Sequence, residues 1–239
     1  MKKTIYDFDG TLTPYSLPKF KIIEKCGLKG GLSNPKFIEL TKKTQIENNL
    51  DFYSAVYDVY FKLIKQNGFD LIDENFSLGY DETIYNEGVE YFLNMLYKNN
   101  VENYLLSSGI KVFLDKLDIR KYFKEVYATT FCYNKNKEAI DIEFLMSDKN
   151  KALAITNITK QNNNDCSNII YIGDGLTDYY AMKYIKDHGG INIFVYLNKD
   201  SKSIQDIELE KIVDYFIYAD FSKGKELDLL IKKLCKIEE

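Results

Sequence analysis

An α/β fold, built on a doubly wound and mainly parallel sheet with an α-helical insertion near its start, is what these 239 residues predict. Three observations lead there. Short apolar, β-branched runs at residues 4–8, 101–106, 168–172 and 191–197 alternate with stretches of helical periodicity, the pattern of parallel βαβ units. The stretch from 15 to about 83 has helical spacing and no strand signal. Asp-, Ser- and Gly-containing turns follow three of the runs directly, and a parallel sheet brings the carboxyl ends of its strands to one edge, where ligands gather.

The first run ends in Asp7-Phe8-Asp9-Gly10-Thr11. Residues two apart on a strand share a face, so Asp7 and Asp9 emerge together. Two close carboxylates repel, and either one is protonated or both face a cation. Gly10 permits a sharp turn, and Thr11 offers a hydroxyl to an incoming ligand. Pro14 and Pro18 then bracket Tyr15-Ser16-Leu17 as the crossing out of the core. Residues 19–26 predict a short helix stopped by Gly27, and Ser33 or Asn34 caps the next, over 36–48. A further helix over 51–66 carries Phe52, Val56, Val59, Tyr60, Leu63 and Ile64 as one core-facing stripe.

From residue 85 the pattern changes. A helix over 87–98 precedes the strand at 101–106, which Ser107 terminates, with Ser108-Gly109 opening a turn. A helix across Val112, Leu114 and Leu117 leads to a strand at 125–129 and a hairpin tipped by Asn134-Lys135-Asn136-Lys137. A helix over 150–158 contains Lys151. The strand at 168–172 runs into Gly173-Asp174-Gly175-Leu176-Thr177-Asp178, which opens a helix to 185.

Composition excludes several classes of function. The chain is 45% hydrophobic and 28% charged, as soluble globular proteins are, and its net charge of −4 leaves no footprint for nucleic acid. No run approaches the ~20 apolar residues of a membrane span, and Asp7 and Asp9 interrupt any leader-like start. Cys26, Cys132, Cys166 and Cys235 lack metal spacing and read as reduced thiols of a cytoplasmic protein. His188 is the single histidine, so acid–base chemistry falls to carboxylates, lysines or tyrosines.

At the sheet edge each motif has a chemical reading. Glycines flanking Asp174 permit close approach of backbone and metal, and two acids from one edge with carbonyl and phosphate oxygens make a hard oxygen site suited to Mg²⁺. Asp178, a turn later, orients that shell. The hydroxyl and N–H groups of Ser107, Ser108 and Gly109 suit a phosphate oxygen.

Asp7-Phe8-Asp9-Gly10-Thr11, Leu105-Leu106-Ser107, Lys151 and Gly173-Asp174-Gly175-x-x-Asp178, in that order, resemble the four motifs of the haloacid dehalogenase-like superfamily. The layout most resembles phosphoserine phosphatase-like members, whose helical cap lies between the first two motifs. The resemblance implies a Rossmann-like core of residues 1–14 and 84–239 with a cap of 15–83. It further implies a Mg²⁺-dependent phosphatase acting on a small phosphorylated metabolite, since a cap excludes bulky substrates. Asp7 would attack phosphorus, and Asp9 would protonate the leaving alkoxide and then activate water. Asp7, the Asp9 carbonyl and Asp174 would hold Mg²⁺. Lys151, with Lys149 its near rival, would hold the phosphoryl oxygens together with Thr11 and Ser107. The substrate-reading acid of phosphoserine phosphatase-like members has no clear counterpart: Tyr15-Ser16-Leu17-Pro18-Lys19 stands in its place, and Glu24 is the nearest acid. A phosphomutase or phosphotransferase on the same fold, or a non-catalytic phosphate- or metal-binding protein, are the alternatives.

Overall fold

The computed structural model describes residues 2–14, 21–160, 163–197 and 207–238. The predicted crossing at Tyr15-Ser16-Leu17-Pro18-Lys19 lies outside them. The strands are β1 (Lys3–Tyr6), β2 (Glu102–Ile110), β3 (Phe123–Tyr133), β4 (Ala139–Phe144), β5 (Ile169–Gly173), β6 (Ile191–Tyr196) and β7 (Tyr215–Tyr218). The helices are α1 (Lys21–Lys25), α2 (Pro35–Glu47), α3 (Phe52–Gln66), α4 (Asp73–Phe76), α5 (Val89–Lys98), α6 (Lys111–Leu114), α7 (Asp148–Thr159), α8 (Tyr179–Asp187), α9 (Ile207–Glu210) and α10 (Glu226–Cys235).

The strands form one sheet in the order β4-β3-β2-β1-β5-β6-β7, parallel except for the β3–β4 hairpin. The chain builds outward from β1 to one side, returns, and builds outward again from β5. The point where the order reverses lies beside β1, and the crevice there is the place such a sheet reserves for ligands. Alternation along the strands explains the two-layered core. Tyr6, Leu105, Ile170 and Ile172 face one apolar cluster, which α5 and α10 cover through Phe92, Leu93 and Ile231. Ile5, Leu106, Tyr171 and Phe194 face the other, which α7 and α8 cover through Ile155 and Met182. Truncating a fully buried member such as Leu93 to Ala costs about 2–5 kcal/mol.

Residues 21–82 carry helices and no strand among the described residues. Asn34 caps α2, its side chain accepting from Lys36 N, with Pro35 at the first helical position; Asp51 caps α3, accepting from Ser54 N. Tyr57, Tyr60 and Phe76 join the first cluster, Tyr57 and Phe76 meeting Phe131 of β3 edge-on or tilted. Phe52 departs from the expected stripe. It starts α3 and is 53% exposed.

Two further expectations are corrected. β1 stops at Tyr6 rather than continuing to residue 8, because the Phe8 carbonyl gathers the N–H groups of Thr11, Leu12 and Thr13 and turns the backbone out of the sheet. β2 runs on to Ile110, so Ser107-Ser108-Gly109 is the end of a strand and not a helix-opening turn. Its ladder to β3 slips between Leu106 and Ile110, which bulges these three residues out at the sheet edge. β7 and α10, beyond the last motif, complete the sheet and the layer over it; the sequence reading placed no element there. Among the described residues no helix is long and apolar enough to cross a membrane, and the four cysteines are unpaired.

Candidate active site

Register sets the site. Tyr6 pairs with Leu105 on one side and Ile172 on the other, and Asp7 N donates to the Ile172 carbonyl at 3.0 Å. The residues that follow these positions therefore leave the sheet at one height: Asp7 after β1, Ser107 and Ser108 late in β2, Asp174 after β5. The loop after β1 is held from above by Asn86, whose side chain donates to Thr11 O at 2.7 Å and whose N–H donates to Leu12 O at 2.8 Å. Gly10 has φ +80, and a Cβ there would stand 2.2 Å from Asp174 Oδ2, so only glycine lets the two loops close on each other.

Lys151, in the first turn of α7 and 1% exposed, joins the loops. Its Nζ donates to Asp7 Oδ1 and to Asp178 Oδ1, each at 2.7 Å. Asp178 is fully buried. Its Oδ1 also accepts from the Tyr171 hydroxyl at 2.7 Å, and its Oδ2 accepts from the N–H groups of Asp174 and Gly175 at 3.2 and 3.3 Å. Thr11 Oγ1 donates to Asp174 Oδ1 at 3.1 Å. Thr11 is fully buried, and its hydroxyl braces Asp174.

The electrostatics follow from burial. Burial pushes Asp7 up to about 6 against the pull of Lys151, with Asp178 adding repulsion. Burial and the nearby Asp7 and Asp178 carboxylates push Asp174 up to about 8. Burial alone would lower Lys151, but Asp178 and Asp7 outweigh it and hold the ammonium charged. Carboxylate oxygens of Asp7, Asp174 and Asp178 lie within 4.8 Å of one another, and one lysine does not balance three such acids. The donor set is all hard oxygen and in excess of negative charge, which fits a divalent cation such as Mg²⁺.

Asp7, Asp9, Ser108, Lys151 and Asp174 line the floor of a cavity of about 770 Å³, roofed by residues of the 21–66 region. Ser107 is buried beneath it, its Oγ accepting from Gly109 N at 3.1 Å. Lys149 is exposed and lies over the Tyr180 ring, away from Asp7; of the two rival lysines the structure brings Lys151 to the site. Glu24 is exposed and accepts from Gly30 N at 2.9 Å, a surface turn contact away from the cavity. His188 stacks on Tyr184, and its Nδ1 lies 2.8 Å from the Tyr184 carbonyl; neither residue lines the cavity.

Three tyrosines escaped the sequence reading. Tyr171 secures Asp178 from within β5. On α3, Tyr53 donates to Asp148 at the start of α7, and Tyr57 donates to Ser108 O at 3.1 Å, so one helical face fastens the roof to two floor elements. Their spacing of four residues was the available signal, since i and i+4 share a helix face.

The haloacid dehalogenase-like hydrolase family model matches residues 4–183. Among solved structures, a phosphoserine phosphatase carrying a phospho-aspartyl intermediate analogue aligns with a TM-score of 0.64 and 20% identity, over 97% of this chain and 98% of that one. A HAD family hydrolase from Salmonella enterica serovar Typhi aligns at 0.66 and 18% identity, over 99% of this chain and 71% of that one. Cytosolic 5'-nucleotidase IIIB bound to cytidine aligns at 0.61 and 13% identity, over 98% and 84%. Likeness at such identities concerns the fold. No curated protein matches the sequence. The family match extends from β1 into α8 and so takes in Asp7, Lys151, Asp174 and Asp178 together, and the chain belongs to the haloacid dehalogenase-like hydrolases.

Proposed function

We propose that this hydrolase is a Mg²⁺-dependent phosphatase that cleaves small phosphomonoesters through an aspartyl-phosphate on Asp7. The observation that carries the reading is the Lys151 ammonium held between Asp7 and Asp178 at the cavity floor. A carboxylate whose charge a fixed cation partly offsets, at the floor of a cavity, is suited to in-line attack on phosphorus.

In the first step an Asp7 oxygen bonds to phosphorus while the ester P–O bond breaks, and Asp9 gives its proton to the departing alkoxide. In the second, Asp9 takes a proton from water as the water oxygen bonds to phosphorus, freeing Asp7 and releasing inorganic phosphate. Lys151 and the bulged Ser107-Ser108-Gly109 segment hold the remaining phosphoryl oxygens. Asp7, the Asp9 carbonyl and Asp174 would hold Mg²⁺. Asp178 has both oxygens engaged by four donors, so it orients Lys151 and the loop after β5. When bound, the cation offsets charge on the phosphoryl group and on the acids around it. Residues 15–83 form the cap, with α3 as its floor-facing helix, and the compartment we infer is the cytoplasm.

The test is hydrolysis of an aryl phosphate with and without Mg²⁺, by the wild type and by Asp7→Asn, with mass spectrometry of the quenched wild type for a phosphoryl group on Asp7. Metal-dependent turnover lost in the variant is expected. Unchanged turnover in Asp7→Asn sinks the mechanism, and product analysis with an added acceptor alcohol separates hydrolysis from transfer.

A further inference from the structure

The roof of the cavity has a chemistry of its own. Its side chains over the floor are Leu32, Phe37, Ile38, Phe52 and Val56, all hydrocarbon. Four roof hydroxyls stand among them: Ser33 is exposed, and the other three already donate, Thr41 to Phe37 O within α2, Tyr53 to Asp148 and Tyr57 to Ser108 O. Among the described lining residues the only charged side chains are Asp7, Asp9, Lys151 and Asp174, all on the floor. Glu24 accepts from Gly30 N in a surface turn and does not line the cavity.

The mouth is also apolar. Phe52 and Ile38 on the roof side are 53% and 40% exposed, and Leu176 across from them, in the loop after β5, is 51% exposed. Scattered exposed hydrophobics are ordinary, but three that line one cavity offer a bound apolar body surface to cover. The cavity volume of about 770 Å³ falls in the ~300–1,000 Å³ range of pockets that enclose drug-sized ligands.

Resting on the phosphatase reading, we propose that the preferred substrates are phosphomonoesters of small, uncharged alcohols with an aromatic or branched hydrocarbon body. A phosphorylated amino acid would leave its ammonium and carboxylate facing hydrocarbon, and a buried unpaired charge is strongly disfavoured. The phosphoryl group sits on the polar floor, and the alcohol carbon lies against Phe37 and Val56 and reaches the mouth at Phe52, Ile38 and Leu176.

The experiment compares kcat/KM, with Mg²⁺, for 2-(2-naphthyl)ethyl phosphate, ethyl phosphate and O-phosphoserine, three alkyl esters that differ in what the roof must contact. Burial of one aromatic ring is worth about tenfold or more. The naphthylethyl ester should therefore exceed both others by at least about tenfold, chiefly through KM. Phe52→Asp, at an exposed first-turn position where an acid suits the helix, should cut the naphthylethyl-to-ethyl ratio about threefold or more. Phe52→Leu should keep most of it. Turnover of ethyl phosphate or phosphoserine equal to that of the naphthylethyl ester overturns the substrate class and leaves the phosphatase reading standing. No Mg²⁺-dependent turnover of any of the three overturns both.

Discussion

Replacing Asp178 by Asn tests the internal logic of the site without recourse to a substrate. The carboxylate is fully buried and accepts four hydrogen bonds, two on each oxygen. An amide keeps one acceptor oxygen and turns an NH₂ group toward the other pair of donors, so at least two donors lose their acceptor. At about 1–3 kcal/mol each, that loss amounts to roughly 2–6 kcal/mol. It agrees with the ~3–5 kcal/mol typical of removing one partner from a buried ion pair. For a chain of this size the melting temperature should fall by about 6–20 °C.

The cost should also depend on pH. Asp7 and Asp174 ionise at about 6 and about 8 in the fold, above the ordinary aspartate value. Their contribution to the stability of the metal-free protein is thus fully present below pH ~4 and is lost as pH rises through 6 and then 8. Asp178 contributes repulsion to both. Near pH 5 Asp7 is mostly protonated and pairs less with Lys151, so losing the Asp178 contact to that lysine should hurt most there. At pH 8 relief of repulsion should offset part of the loss. Guanidinium unfolding in EDTA at pH 5 and pH 8 reads both effects. A loss under about 1 kcal/mol at both, or a larger loss at pH 8 than at pH 5, refutes the account of Asp178 as the anchor of the lysine.

Other substitutions probe the neighbouring contacts. Mg²⁺ should raise the melting temperature more at pH 8 than at pH 5.5, because it favours the ionised forms of Asp7 and Asp174 that the fold alone resists; an equal rise at both values contradicts the assignment. Lys151→Met should reduce kcat by at least about 10²-fold, whereas Lys149→Met, at an exposed position, should stay within about twofold in the same assay. Gly10→Ala should place a methyl group against Asp174 at a backbone angle that disfavours it, and weaken Mg²⁺ affinity measured by titration calorimetry at least tenfold. Tyr53→Phe removes the hydroxyl that ties α3 to α7, a contact worth about 1 kcal/mol, and amide exchange in α3 should quicken; unchanged exchange shows that this hydroxyl does not fasten α3.

Much of this architecture is legible in the chain because it rests on local pattern. Short apolar runs at 4–8, 101–106 and 168–172 identify the central strands, and the Asp-, Ser- and Gly-containing turns after them place the chemistry at one edge. What escapes is set by contacts distant in sequence. Whether Lys149 or Lys151 faces the site depends on two residues of rotation about α7, settled by packing Ile155 and Ile158 into the sheet. The extension of β2 through Ser107-Ser108-Gly109 depends on the offset ladder to β3, which no local pattern encodes. Phe52 carries the periodicity of a core residue but sits in the first position of its helix, where the stripe runs past the core and over the cavity. The Thr11 hydroxyl meets Asp174, which arrives from 163 residues away.

The placement of β1 has a cost on the ribosome. This strand is made first, yet in the finished sheet it lies between β2 and β5, and its partner β5 starts at Ile169. At about 5–20 residues per second, some 10–30 s pass between synthesis of the two. Throughout that interval Ile5, Tyr6 and Phe8 are an apolar segment with one side unpaired. Lys2 and Lys3 before it and Asp7 and Asp9 after it are the charges that discourage such a segment from pairing with a neighbouring nascent chain. The acids assigned here to phosphoryl transfer thus also guard the strand that carries them, so neutralising both should lower the yield of folded protein during synthesis before any assay of activity begins.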